Sequence, residues 1–175
     1  EEFGLIAMLS IFVAMGNTFV NSGFGQALIQ KQDVKHIDEC SMFYFNILVA
    51  ILATIILFFC APLIADFYNQ PQLIQMSRVL SLIFIFNALG LVQRTLLNKN
   101  LDFKTQFKVS LLASLFAGIV SVGLAFNGFG VWSLIALYLC TDFFNTVFLW
   151  FFSSWRPSLI FSIISLKSMF SFGSK

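Results

Sequence analysis

The chain has 175 residues, of which 59% are apolar and only 10% charged, and its formal net charge is +2. A soluble domain carries about 25% charged residues and needs a polar exterior, so this balance excludes a soluble enzyme, a disordered chain and a secreted disulfide scaffold. What it leaves is an all-α polytopic membrane protein, and so small a net charge gives no reason to expect a nucleic-acid partner.

The charges are clustered, and the gaps between them define the elements. No acid, base or histidine occurs from Phe3 to Gln30 or from Cys40 to Ala65. Each gap is long enough for one membrane helix, over residues 4–28 and 41–65. Asn69-Gln70-Pro71-Gln72 reads as a turn, and a third helix follows over 76–97, with Arg94 near its end. The stretch from Val109 to Thr141 is too long for one helix and is cut by Asn127-Gly128-Phe129-Gly130. That gives helices over 108–126 and 131–153. Five spans result, within one membrane domain covering 1–175, followed by an amphipathic cytoplasmic connector over 157–170.

Basic residues orient the spans. Lys31, Lys35, Arg94, Lys99, Lys104, Lys108, Arg156, Lys167 and Lys175 all fall in or beside alternate loops, which leaves only Arg78 of the 10 basic residues on the other side. The basic loops are therefore expected in the cytoplasm and the first residues outside. The chain opens Glu1-Glu2-Phe3-Gly4 without a signal-peptide pattern, and it stops at Phe172-Gly173-Ser174-Lys175. The expectation is a fragment, with an upstream segment that crosses the membrane first.

Within the spans, polar residues stand out. Asp142 falls in the middle of the last span, where a carboxylate costs roughly 2.5–3.5 kcal/mol on insertion scales. Tyr138, Asn145 and Thr146 lie at i−4, i+3 and i+4 from it and offer hydrogen-bonding groups on its face. Asp142 with Asn145 is thus a candidate site for a coupling proton or cation, or else a polar clasp between helices. Ser10, Ala14, Asn17 and Asn21 share one face of the first span, and Asn87 and Arg94 share one of the third. These faces line a hydrophilic path or bond neighbouring helices; Arg94 suits a phosphate or an interfacial anchor. Asn46 is alone in its span. Ser110, Ser114 and Gly118 form a small-residue row that lets helices approach closely. Trp132, Trp150, Trp155 and Tyr68 lie near span ends, as an aromatic belt requires. Cys40, Cys60 and Cys140 are isolated and His36 lies in a charged loop, so no metal site, cofactor or nucleophile–base pair is expected. No phosphate-loop motif is present.

Several strings in order resemble one family. They are Glu2–Met8, Asn21–Gln30, Leu91-Val92-Gln93-Arg94-Thr95-Leu96-Leu97, Leu101-Asp102-Phe103-Lys104, Gly128–Leu134, Trp155-Arg156-Pro157 and Phe172-Gly173. Together they are similar to bacterial lipopolysaccharide and exopolysaccharide repeat-unit flippases, of the superfamily that also holds multidrug and toxin extruders. The resemblance implies a longer protein of two six-helix halves around a cavity. This chain would supply five spans of the first half and the start of another, in the bacterial cytoplasmic membrane.

The implied activity is transport, not catalysis: a polyprenyl-pyrophosphate-linked oligosaccharide crosses the bilayer by alternating access, with glycan polymerase or assembly proteins as possible neighbours. Gln93-Arg94 matches the family string at a cytoplasmic helix end, near where the pyrophosphate would enter. The path residues expected are Asn17, Asn21, Asn87, Gln93 and Arg94. The chain departs from related flippases in having no Lys or Arg at mid-membrane. A cation-coupled extruder and a membrane-embedded glycan-assembly enzyme are the competing readings.

Overall fold

The structure is a computed structural model, and it describes residues 34–163 continuously together with residues 4, 8, 11, 13, 14, 16–18, 28, 165 and 166. The expected first span, with Asn21, therefore lies largely outside the described residues. Residues 36–152 form helices α1 (His36–Tyr68), α2 (Gln72–Leu80), α3 (Leu82–Lys99), α4 (Phe103–Phe126) and α5 (Val131–Phe152). The described residues hold four helical stretches long and apolar enough to cross a membrane, with α2 and α3 counting as one.

Local chemistry sets the boundaries. The Lys35 N–H donates to Asp38 Oδ2 (3.1 Å), and Asp38 and Glu39 place negative charge in the first turn of α1. α1 ends where Asn69 takes a left-handed conformation (φ 53°) and the N–H groups of Asn69 and Gln70 turn back to Asp66 O and Ala65 O. Its 33 residues give a rod of about 50 Å, longer than a hydrocarbon core of about 30 Å, so both ends project beyond the apolar stretch at 41–65.

The third expected span is two helices. At Ser81 the side-chain hydroxyl donates to Arg78 O (2.7 Å), and the carbonyl of Ser81 accepts both from Phe84 N (3.2 Å) and from Thr54 Oγ1 of α1 (3.1 Å). These bonds mark the point where α2 gives way to α3. Asp102 caps α4 by accepting from Thr105 N (3.1 Å) and Thr105 Oγ1 (2.7 Å). The turn expected at Asn127–Gly130 is present, and its Gly128 sits at φ 79°, a conformation that costs glycine little.

α3 is the central helix. It packs antiparallel to α1, through Thr54 and Ser81, and parallel to α5, where Phe86 meets Thr146 and Leu89 meets Trp150. α4 packs back along α5: Ser121 Oγ donates to Ser133 O (2.8 Å), and Phe116 stacks against Phe144 and Phe148. The main core joins Ala50, Leu57 and Ile64 of α1 to Leu73 and Met76 of α2, Phe84 and Ala88 of α3, and Ile135 of α5. The outward faces of α1 and α4, such as Leu52, Phe59, Leu115 and Ile119, stay exposed and apolar, as a lipid-facing surface requires.

Candidate functional site

Two polar zones border α3, and they differ in character. The first is the interface between α3 and α5. Gly90 leaves little room here: an added Cβ would lie 3.1 Å from Leu149 Cδ1 and 3.4 Å from Thr146 Oγ1. The close approach lets Thr146 Oγ1 donate to Phe86 O (2.8 Å) and Trp150 Nε1 to Leu89 O (3.0 Å). Gln93 is fully buried beside them. In the amide orientation that satisfies it, its nitrogen donates to Leu89 O (2.9 Å) and its oxygen accepts from Trp150 Nε1 (3.1 Å). Arg156 closes the end of α5 by donating to Trp150 O (2.6 Å) and Ser153 O (2.7 Å). Gln93 therefore sits inside the helix pair and not on an open path face, because two partners on the α3–α5 seam hold its amide. The sequence reading also offered Thr146 as a partner for Asp142; its hydroxyl is taken by α3.

The second zone holds the remaining polar residues of α3 and α5. Asn87 and Arg94 lie two turns apart on α3, and both are half-buried. Asn87 Nδ2 donates to Asn17 Oδ1 (3.2 Å), which brings two expected path residues together. On α5, Asp142 belongs to the stripe of Val131, Ile135, Thr146 and Leu149, whose other members are buried. Asp142 and Asn145 are half-buried, and Tyr138 is exposed. Arg94 and Asp142 lie on neighbouring helices and make no direct ion pair. Asn17 and Asn87 thus meet through a hydrogen bond, while Arg94 on α3 and Asp142 and Asn145 on α5 are half-buried. No group of three His, Cys, Asp or Glu capable of holding a metal occurs among the described residues.

At the expected cytoplasmic end, the structure shows an arrangement that sequence reasoning missed. Glu39 Oε2 accepts from Trp155 Nε1 (2.7 Å) and faces His36 Nδ1 (3.2 Å), while His36 Nε2 meets Ser158 Oγ (3.0 Å). His36 is thus bonded as well as partly solvated. The sulfur of the free Cys40 accepts from Ser158 N (3.2 Å). A cavity of about 570 Å³ opens nearby, among Glu39, Lys99, Asn100, Asp102 and Trp155. The two hydrogen bonds from Thr105, with Lys108 and Lys104 adding to them, hold the Asp102 carboxyl below the usual carboxylate range. Only the spacing of aromatic Trp155 from the helix end hinted at this cluster in the sequence. Deep in α1, Asn46 is buried with neither Nδ2 nor Oδ1 bonded.

Comparison with known proteins places these zones in a family. The chain is 28% identical over 160 residues to the teichuronic acid biosynthesis protein TuaB of Bacillus subtilis, covering 88% of this chain and 32% of that one. It is 26% identical over 181 residues to the lipopolysaccharide biosynthesis protein WzxC of Escherichia coli, covering 99% and 36%. It is 27% identical over 175 residues to the succinoglycan biosynthesis transport protein ExoT of Rhizobium meliloti, covering 99% and 35%. The chain therefore spans about a third of the length of the curated relatives it matches. No solved structure matches it. The polysaccharide biosynthesis protein family matches residues 1–175 from end to end, and the chain belongs to that family.

Proposed function

We propose that this chain forms part of a flippase that carries lipid-linked oligosaccharide repeat units across the bacterial cytoplasmic membrane by alternating access. The observation that carries the reading is the Asn87–Asn17 hydrogen bond, together with half-buried Arg94, Asp142 and Asn145 on helices that are otherwise apolar. A relative named for succinoglycan transport supports it. The physical task is to give sugar hydroxyls and a pyrophosphate partners while the polyprenyl tail stays in lipid. Amides such as Asn87 and Asn145 both donate and accept, as hydroxyls require. Arg94, near the cytoplasmic end of α3, offers a guanidinium fork to the pyrophosphate.

Asp142 then supplies the coupling. A pyrophosphate on Arg94 competes with the Asp142 carboxylate for the same positive charge. Substrate entry weakens the hold of Arg94 on Asp142, and a proton or cation takes its place. Substrate at Arg94 and a proton or cation at Asp142 thus favour each other's binding, and by linkage each does so by the same factor. Asn21, four positions after Asn17 in the sequence, is the further residue proposed for the path.

The test is polymer export by the full-length protein carrying Arg94→Gln or Asp142→Asn. Loss of a charge-assisted contact worth about 1.5–3 kcal/mol weakens substrate affinity roughly ten- to a hundredfold in the Arg94 variant. Export that no longer responds to the ion gradient is expected in the Asp142 variant. Unimpaired export in both would remove these residues from the path. Efflux of small organic cations, unaffected by loss of lipid-linked sugar, would favour the extruder reading.

A further inference from the structure

Residues 153–162 leave α5 without forming a helix, yet their backbone is tied down. Ser158 N donates to Cys40 Sγ (3.2 Å), and Ser162 N donates to Ser41 Oγ (2.9 Å). Beyond them, Leu166 is buried against Leu28 and Met42. The strap therefore has an inner edge of Ser158, Ser162 and Leu166, spaced four apart. Its other edge is apolar and uncovered: Leu159 is 95% exposed and Ile163 71%, with Ile160 and Phe161 also exposed. So continuous an apolar edge in water would be a strong liability.

The place where the strap sits identifies what covers that edge. Ser41 continues the α1 stripe of Leu48, Leu52, Ile55 and Phe59, at spacings of seven, four, three and four. Those four residues are the exposed face of α1, opposite its bundle-facing Ala50, Leu57, Ala61 and Ile64. Ser41 itself is fully buried, because the strap crosses the lipid-facing side of α1 there. Ser41 lies five residues, or about 7 Å, inside the start of α1. That is where the apolar stretch 41–65 of α1 begins, so Ser41 stands at the headgroup–acyl boundary, where interfacial segments lie.

We infer that residues 157–163 form a lipid-facing girdle: the serine edge bonds to α1, and Leu159, Phe161 and Ile163 insert into the headgroup–acyl boundary of the cytoplasmic leaflet. The inference rests on the reading that the bundle spans a bilayer with Lys35 and Lys99 at its inner side. The girdle gives the backbone N–H groups of Ser158 and Ser162 side-chain partners, so a non-helical segment can lie at that depth. It also fixes the end of α5 to the start of α1 and so holds the cytoplasmic rim of the bundle as one body.

The test uses nitroxide labels at Leu159→Cys, Phe161→Cys and Ile163→Cys, one at a time, in the full-length protein in bilayer nanodiscs. Cys60 and Cys140 are replaced by alanine, and the fully buried Cys40 is kept. Labels at Phe59→Cys and Asn127→Cys serve as lipid and water references. The three girdle labels should collide with oxygen, relative to a water-borne nickel chelate, at a ratio several-fold above Asn127 and near that of Phe59. A ratio like that of Asn127 would place the segment in water and overturn the girdle. Protection from both reagents would mean that another part of the protein covers it, and would overturn it equally. A Phe59 label that itself behaves as water-exposed would instead refute the membrane reading beneath it.

Discussion

α3 and α4 are both apolar helices of this bundle, yet they live in different surroundings. In the α2–α3 span 61% of the most apolar stretch is buried, against 22% in α4. The buried one is the one dotted with polar groups: Asn87, Gln93, Arg94 and Thr95. In lipid no hydrophobic drive separates helix from helix, so the helix that carries hydrogen-bonding groups and small residues is drawn to the centre. α4 keeps its apolar side chains and faces outward, meeting the bundle mainly along α5.

Substitutions at glycine should show the difference most strongly. Gly90→Leu would push into Leu149 and Thr146 and cost about 1–3 kcal/mol, whereas Gly118→Leu, with nothing within 4 Å of its added Cβ, should change little. Reversible unfolding of the full-length protein in lipid or mild detergent measures both, and equal losses would erase the distinction. Asn46→Leu sharpens it with the opposite sign. Removing a buried amide that bonds to nothing should stabilise by about 1–2 kcal/mol, and a loss of stability would show that Asn46 has an essential partner.

Smaller effects follow at the hydrogen bonds. Gln93→Leu removes the contacts to Leu89 O and Trp150 and should cost about 1 kcal/mol, while Ser121→Ala at the α4–α5 contact should cost about 0.6 kcal/mol. The order would reverse if α4 were the central helix.

The smallest effect is a pH dependence at the start of α4. The Asp102 carboxyl is held below its ordinary value, so its cap is fully present above the ordinary carboxylate range and is lost as pH falls through the lowered value. Hydrogen exchange at the Thr105 amide should therefore quicken only in strong acid, and faster exchange already at neutral pH would contradict the cap.

Much of this was legible in the sequence because charge gaps and turn residues act locally. The charge-free stretch from Cys40 to Ala65 lies wholly within α1, and Asn127–Gly130 makes the turn that divides α4 from α5. The division of the third span at Ser81 was not legible, because the contact there comes from Thr54 reaching across from α1. The site was half legible. Periodicity put Asn87 and Arg94 on one face and marked Asp142, but it could not assign Thr146 and Gln93 to the α3–α5 seam, since a helical wheel does not say which neighbour arrives at which face. The strap over Ser41 left no periodic trace at all, because its order comes from contacts with residues more than a hundred positions away.

The central claim is that the face of Asn87 and Asn145 meets water and substrate while the outer face of α4 meets lipid. Cysteine placed at Asn87, Asn145 and Ile119 of the full-length protein, then exposed to a charged water-borne thiol reagent, tests it directly. The account predicts rapid modification at positions 87 and 145, slowed by added lipid-linked repeat unit, and no modification at 119. Inert cysteines at 87 and 145, or reactivity equal to that at 119, would contradict it.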